Sequence, residues 1–185
     1  MNNSMVKKRM SARTQALSTI AAVVAAVALP QIFHTLGAAT GMGSALGEMF
    51  LPMHLPVLLV GFLAGPLAGL LAGAFSPMVS YSLTGMPGLV MLPFMVIELA
   101  AYGVFAGLLR EVRLPSLFKV IIVQIAGRAV RAAAILLAVY GLGNTAVKIP
   151  VIWNSIVTGL PGLALQWLLV PLILLWAAKR RGSHA

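Results

Sequence analysis

In an otherwise apolar stretch from about Val120 to Tyr140, Gln124, Arg128 and Arg131 stand four and three residues apart. That spacing places all three on one face of a helix. Charge inside a membrane-length apolar segment is expensive, so the two arginines are the first functional candidates. A single acid, Glu98, lies well inside another such stretch, about Val90 to Leu109. Counted from the same end of the two helices, Glu98 is about 8 residues deep and Arg131 about 9, near one level at 1.5 Å per residue, with Arg128 a turn deeper. A Glu98–Arg131 pair is therefore expected. Two readings follow. The pair, with backbone carbonyls for Arg128, locks two helices together; or, because one carboxylate cannot neutralise two guanidinium groups, the surplus charge holds an anionic small molecule.

Further polar or aromatic residues would line a pocket at the same end: His54 at the start of a short span, Ser80 and Tyr81 after Pro77, Tyr102, and Asn154. A short span and a Pro-broken span point to a site, because freed backbone groups need a cavity. His54 also fits a capping role. Trp153 and Tyr140 fit an aromatic belt at one membrane surface and Trp176 the belt at the other, while Gln166 and Trp167 read as packing. No His-x-x-x-His, acidic pair or cysteine marks a metal site, and no Gly-x-x-x-x-Gly-Lys phosphate loop or Gly-x-Ser-x-Gly nucleophile is present. Neither catalysis nor a metal or cofactor is expected.

The elements that position these residues follow from composition. Of 185 residues, 61% are hydrophobic and 9% charged, which fits a chain dissolved mostly in lipid. Spans of roughly 20 residues divide it into six helices, an all-α integral membrane domain without room for a separate soluble one. Their expected bounds are 14–33, 54–64, 67–83 (interrupted at Pro77), 90–109, 120–140 and 155–178. Between them lie a Gly-rich loop over 36–53 holding Glu48, turns at Gly65-Pro66 and 84–88, a polar link at 110–119, and a loop over 141–150. The segments 1–13 and 179–185 read as basic tails. The first apolar run is too long for the core of a signal peptide, so an uncleaved helix is expected.

Basic residues settle the orientation. One set of alternate ends holds Lys7, Lys8, Arg9, Arg13, Arg110, Arg113, Lys119, Lys179, Arg180 and Arg181, and the other holds Lys148. By the positive-inside rule both termini are cytoplasmic. The same tally accounts for most of the +10 net charge, so nucleic-acid binding is not expected.

Small residues form two seams. Gly61, Gly65, Gly69 and Gly73 recur every four residues, with Ala64, Ala68 and Ala72 beside them, and read as tight packing within the chain; Gly103 and Gly107 read alike. On the first span, Ser18, Ala22 and Ala26 lie beside Ala21, Ala25 and Ala28 in a smooth face. It either packs inside the bundle or docks another protein.

The run from Leu51 to Leu59, holding His54-x-Pro56-Val57-Leu58, with Gly61, Gly65-Pro66 and Gly69, resembles the substrate-binding S components of energy-coupling-factor (ECF) transporters. The likeness continues through Ser76-Pro77, Thr84-Gly85-Met86-Pro87, Glu98 to Gly103, and Ala126-Gly127-Arg128, covering roughly 14–178. The resemblance implies a six-helix membrane protein that captures a vitamin-like small molecule from outside and docks on a transmembrane T protein and two cytoplasmic ATPases. The pantothenate-type branch is the most similar. That family docks on the T protein through Ala-x-x-x-Ala on the first helix, matched here by Ala21 to Ala25 and Ala22 to Ala26, which favours an intermolecular role for the Ser18, Ala21, Ala22, Ala25 and Ala26 face. Glu48 and the 141–150 loop would cover the bound molecule. A self-sufficient carrier of a small anion is the competing class, and an intramembrane enzyme a third.

Overall fold

The structure, a computed structural model, describes residues 10–182. Lys7, Lys8 and Arg9 of the first basic tail, the side chain of Arg181 and the end of the second tail lie outside the described residues. Regular structure among the described residues is helical. In order come α1 (Ala12–Ala39), α2 (Ala45–Phe50), α3 (His54–Ala64), α4 (Pro66–Thr84), α5 (Leu92–Leu109), α6 (Ser116–Leu136) running into a π turn (Leu137–Gly141), α7 (Pro150–Thr158) and α8 (Leu160–Gly182). Six helical stretches are long and apolar enough to cross a membrane: α1, α2 with α3, α4, α5, α6 with its π turn, and α8. The protein is an all-α, multi-pass membrane protein, with six membrane-length helical stretches among the described residues.

Several boundaries differ from expectation. The Ser11 hydroxyl caps α1 by accepting from the Thr14 N–H at 3.2 Å. The helix then runs to Ala39, beyond the expected end at 33, because no left-handed residue stops it before Gly41. Much of the expected 36–53 loop is therefore helical, as the end of α1 and as α2. Pro77 does not interrupt α4. Pro77 itself is buried, and packing offsets the one N–H that proline withholds from the Gly73 carbonyl; the neighbouring Ser76 hydroxyl donates to the Ala72 carbonyl at 2.6 Å. The expected last span, 155–178, is two helices. Its first residues belong to α7, and Gly159 separates them from α8.

Close backbone approach holds the middle of the bundle. A Cβ at Gly61 would sit 2.6 Å from the Gly103 carbonyl oxygen, and one at Gly69 would overlap the Gly103 backbone. One at Gly107 would overlap Pro66. Lipid supplies no hydrophobic force between helices, so α3 and α4 associate with α5 through the dispersion contacts that these glycines permit.

The small face of α1 is largely spent inside the same chain. Ala22 is 8% exposed and packs with Val60, Ala64, Ala68 and Ala72; Ala26 is 0% exposed and belongs to the central core with Val57 and Leu58. This corrects the expectation that all five small residues face a partner. Ala21 is exposed, and Ser18 and Ala25 are half-buried. Periodicity locates a smooth face but not the neighbour that covers it.

Candidate functional site

The C-terminal ends of α1, α4 and α6 and the N-terminal ends of α3, α5 and α8 meet at one end of the bundle, with α2 and α7 across it. They enclose a cavity of about 340 Å³, far from the basic end that carries Arg13, Arg110, Arg113, Lys119 and Lys179.

Glu98 is 0% exposed at its floor. Arg131 Nη1 donates to Glu98 Oε2 at 2.8 Å. Arg128 Nε approaches the other carboxylate oxygen, Oε1, at 3.5 Å, and His54 Nε2 lies 3.8 Å from that same atom. The expected Glu98–Arg131 pair is present, and Arg128, expected a turn deeper, reaches the same carboxylate through its long side chain. Arg128 Nη1 also donates to the Ser155 carbonyl at 3.1 Å and to its hydroxyl at 3.2 Å. These bonds tie α5, α6 and α7 together.

They do not use up the site's polar atoms. Glu98 Oε1, both ring nitrogens of His54, Arg128 Nε and Nη2, and Arg131 Nε are buried without a hydrogen-bond partner among the described residues. A buried polar group left unpaired costs roughly 1–3 kcal/mol, more when charged, and these atoms belong to residues that line the cavity, with Arg128 Nε and His54 Nε2 each only in loose contact with Glu98 Oε1. At the buried floor, a pair of guanidinium groups faces one carboxylate. Glu48, the other acid on the lining, is exposed and accepts from the Ser44 hydroxyl at 3.3 Å, where solvent screens its charge.

Of the residues singled out by sequence, the cavity brings together His54, Glu98, Arg128, Arg131 and Asn154, with Ser80 and Glu48. Tyr81 and Tyr102 are not among the residues that line it. Tyr102 is fully buried beneath it, its ring edge-on to His54 with centroids 5.1 Å apart and packed against Gly127. Helical spacing placed Tyr102 on the correct side of α5 but could not reveal that His54 covers it.

Gln124 shares the arginine face of α6 but does not line the cavity. It donates through Nε2 to Gln166 Oε1 at 3.0 Å and accepts from Trp167 Nε1 at 2.6 Å, while Gln166 Nε2 donates to the Leu51 carbonyl at 3.2 Å. Gln166 and Trp167 are thus more than packing. Their network ties α6 and α8 to Leu51, a non-glycine residue held at φ 48° on the cavity wall.

Sequence reasoning missed Ser155, His34 and Gly159. A Cβ at Gly159 would lie 3.0 Å from Arg128 Nη2 and 3.0 Å from Leu51 Cδ1, so glycine leaves room for the guanidinium where α7 and α8 separate. A glycine inside an apparently continuous apolar run was the available signal.

A bundle of six apolar spans enclosing a buried charged cavity that opens at one end has the architecture of a membrane protein that binds or carries a small molecule. The family model for the ECF transporter, substrate-specific component, matches residues 9–174, and the chain belongs to that family. It is a substrate-binding membrane component of a transporter. No curated protein and no solved structure matches it.

Proposed function

We propose that this subunit captures a small anionic vitamin or related micronutrient from outside the cell, with pantothenate favoured. A T protein and two cytoplasmic ATPases then drive its import. The observation that carries the reading is the floor of the cavity, where Arg128 and Arg131 share the one buried carboxylate of Glu98, two cations against one anion. A ligand carboxylate would neutralise the surplus charge through charge-assisted bonds of about 1.5–3 kcal/mol each. The basic residues gathered at the opposite end support cytoplasmic termini and a cavity facing outward. His54 and Asn154 flank the guest, and no chemical step is assigned to any residue. The exposed portion of the α1 small face, Ala21 with Ser18 and Ala25, supports docking on the T protein.

The test is mass spectrometry of small molecules that co-purify with the subunit, followed by binding titrations. An unaltered anionic vitamin is expected. Release of a chemically altered product would overturn the carrier reading, and ion-driven uptake by this chain alone in proteoliposomes would remove the need for ATPases.

A further inference from the structure

We infer that Gln166, which does not line the cavity, is a positioning residue for it: from behind the wall it holds the corner between α2 and α3, and through that corner it sets the affinity of the site. The inference rests on the ligand-binding reading and adds a residue that acts on binding without touching the guest.

The corner is a continuous piece of the wall. Leu51, Pro52, Met53 and His54 all line the cavity, and His54 Nε2 reaches to 3.8 Å from Glu98 Oε1. Leu51 turns the chain there at φ 48° and ψ 47°, a left-handed conformation that a leucine keeps only where its surroundings hold it. The Leu51 N–H donates to the Gly47 carbonyl at 3.1 Å, and the His54 N–H to the Leu51 carbonyl at 3.1 Å. Both bonds are local, so they curl the corner without fixing it against the bundle.

The outside hold comes from α8. Gly159, Gly162 and Gln166 are spaced three and four residues apart and meet Phe50 and Leu51. A Cβ at Gly162 would lie 2.5 Å from the Phe50 carbonyl oxygen, and one at Gly159 3.0 Å from Leu51 Cδ1. The two glycines therefore let the corner close on α8, and Gln166 Nε2 bonds it there, donating to the Leu51 carbonyl at 3.2 Å.

The direction of that bond is fixed from both ends. An indole N–H only donates, so Trp167 Nε1 requires Gln124 to turn Oε1 toward it, at 2.6 Å. Gln124 then offers Nε2 to Gln166 Oε1 at 3.0 Å, which leaves Gln166 its Nε2 for the corner. A backbone carbonyl only accepts, and Leu51 completes the series. Gln166 is 2% exposed, so water does not replace it readily. Losing its bond frees the corner to shift, and with it His54 against Glu98 and Leu51 against Arg128. Recognition requires such groups to be held within about 0.5 Å.

The experiment compares the purified full chain with Gln166→Met and Gln124→Met, by amide hydrogen exchange without ligand and by titration with pantothenate. Both variants lose buried hydrogen bonds, but Gln124→Met leaves Gln166 on the Leu51 carbonyl. In Gln166→Met, exchange at Leu51, Met53 and His54 is expected to quicken about tenfold or more relative to the glycine seam at 61–73, and pantothenate to bind about tenfold more weakly. In Gln124→Met both are expected to stay within about threefold of wild type. Gly162→Ala, which forces Phe50 away from α8, is expected to loosen the corner in the same way and serves if Gln166→Met does not fold. Exchange in the corner that quickens no more than in the seam, unchanged affinity in Gln166→Met, or equal losses of affinity in the two glutamine variants overturns the inference and leaves the ligand reading standing. A wild-type chain that does not bind pantothenate overturns that choice of ligand, and the exchange comparison then decides the inference.

Discussion

Glu98 Oε2 accepts from Arg131 Nη1 at 2.8 Å across the α5–α6 interface, with the carboxylate wholly buried. Arg128 leans on the other oxygen of the same group, so one acid serves two cations. Breaking a buried pair from one side leaves uncompensated charge. Glu98→Gln is expected to cost roughly 3–5 kcal/mol of stability, read as a lowered unfolding midpoint in detergent. An unfolding midpoint equal to wild type would show that the pair is not holding the helices.

The glycine seam makes a separate prediction. Gly69→Leu puts a side chain where the Gly103 backbone already lies, so α4 must leave α5. Loss of monodisperse protein on size exclusion is expected, whereas Gly88→Ala, at a position with nothing within 4 Å, is expected to be tolerated.

For the amide network, Gln166→Leu strands the Gln124 amide N–H and removes one of the two bonds to the Leu51 carbonyl, which still accepts from the His54 N–H at 3.1 Å. The expected loss is roughly 1–3 kcal/mol for each buried group left unpaired. Trp167→Phe removes one donor and leaves Gln124 bonded to Gln166, so its cost is expected to be smaller. Unfolding measured for the two variants side by side checks the order.

On α1, the two alanines at consecutive positions separate packing from docking. Ala22→Trp is expected to damage the fold, since Ala22 packs on Val60 and Ala68. Ala21→Trp is expected to leave folding and ligand affinity unchanged while preventing co-purification with the T protein and ATPases. Intact complexes carrying Ala21→Trp would remove that face from the docking surface.

The spans and the charged cluster were legible because both are set by local pattern. Apolar length defines a helix in lipid, and the four-then-three spacing of Gln124, Arg128 and Arg131 defines a face. What failed depended on neighbours. Pro77 reads as a break until the packing that buries it is in place, and α7 merges with α8 in a hydropathy profile because the single Gly159 does not interrupt the apolar run. Ala22 and Ala21 are the same residue type one position apart, yet one is buried and the other exposed. Gln166 and Gln124 find each other across 42 positions, a pairing that no periodicity in either segment encodes.

The most direct test of the anion-binding claim is the affinity of Arg128→Gln and Arg131→Gln for the ligand that co-purifies, measured on protein that remains folded and monodisperse. The account predicts an anionic ligand and a loss of roughly tenfold to more than a hundredfold for the arginine that contacts it. Wild-type affinity in both variants, or a neutral or cationic ligand binding best, would contradict it.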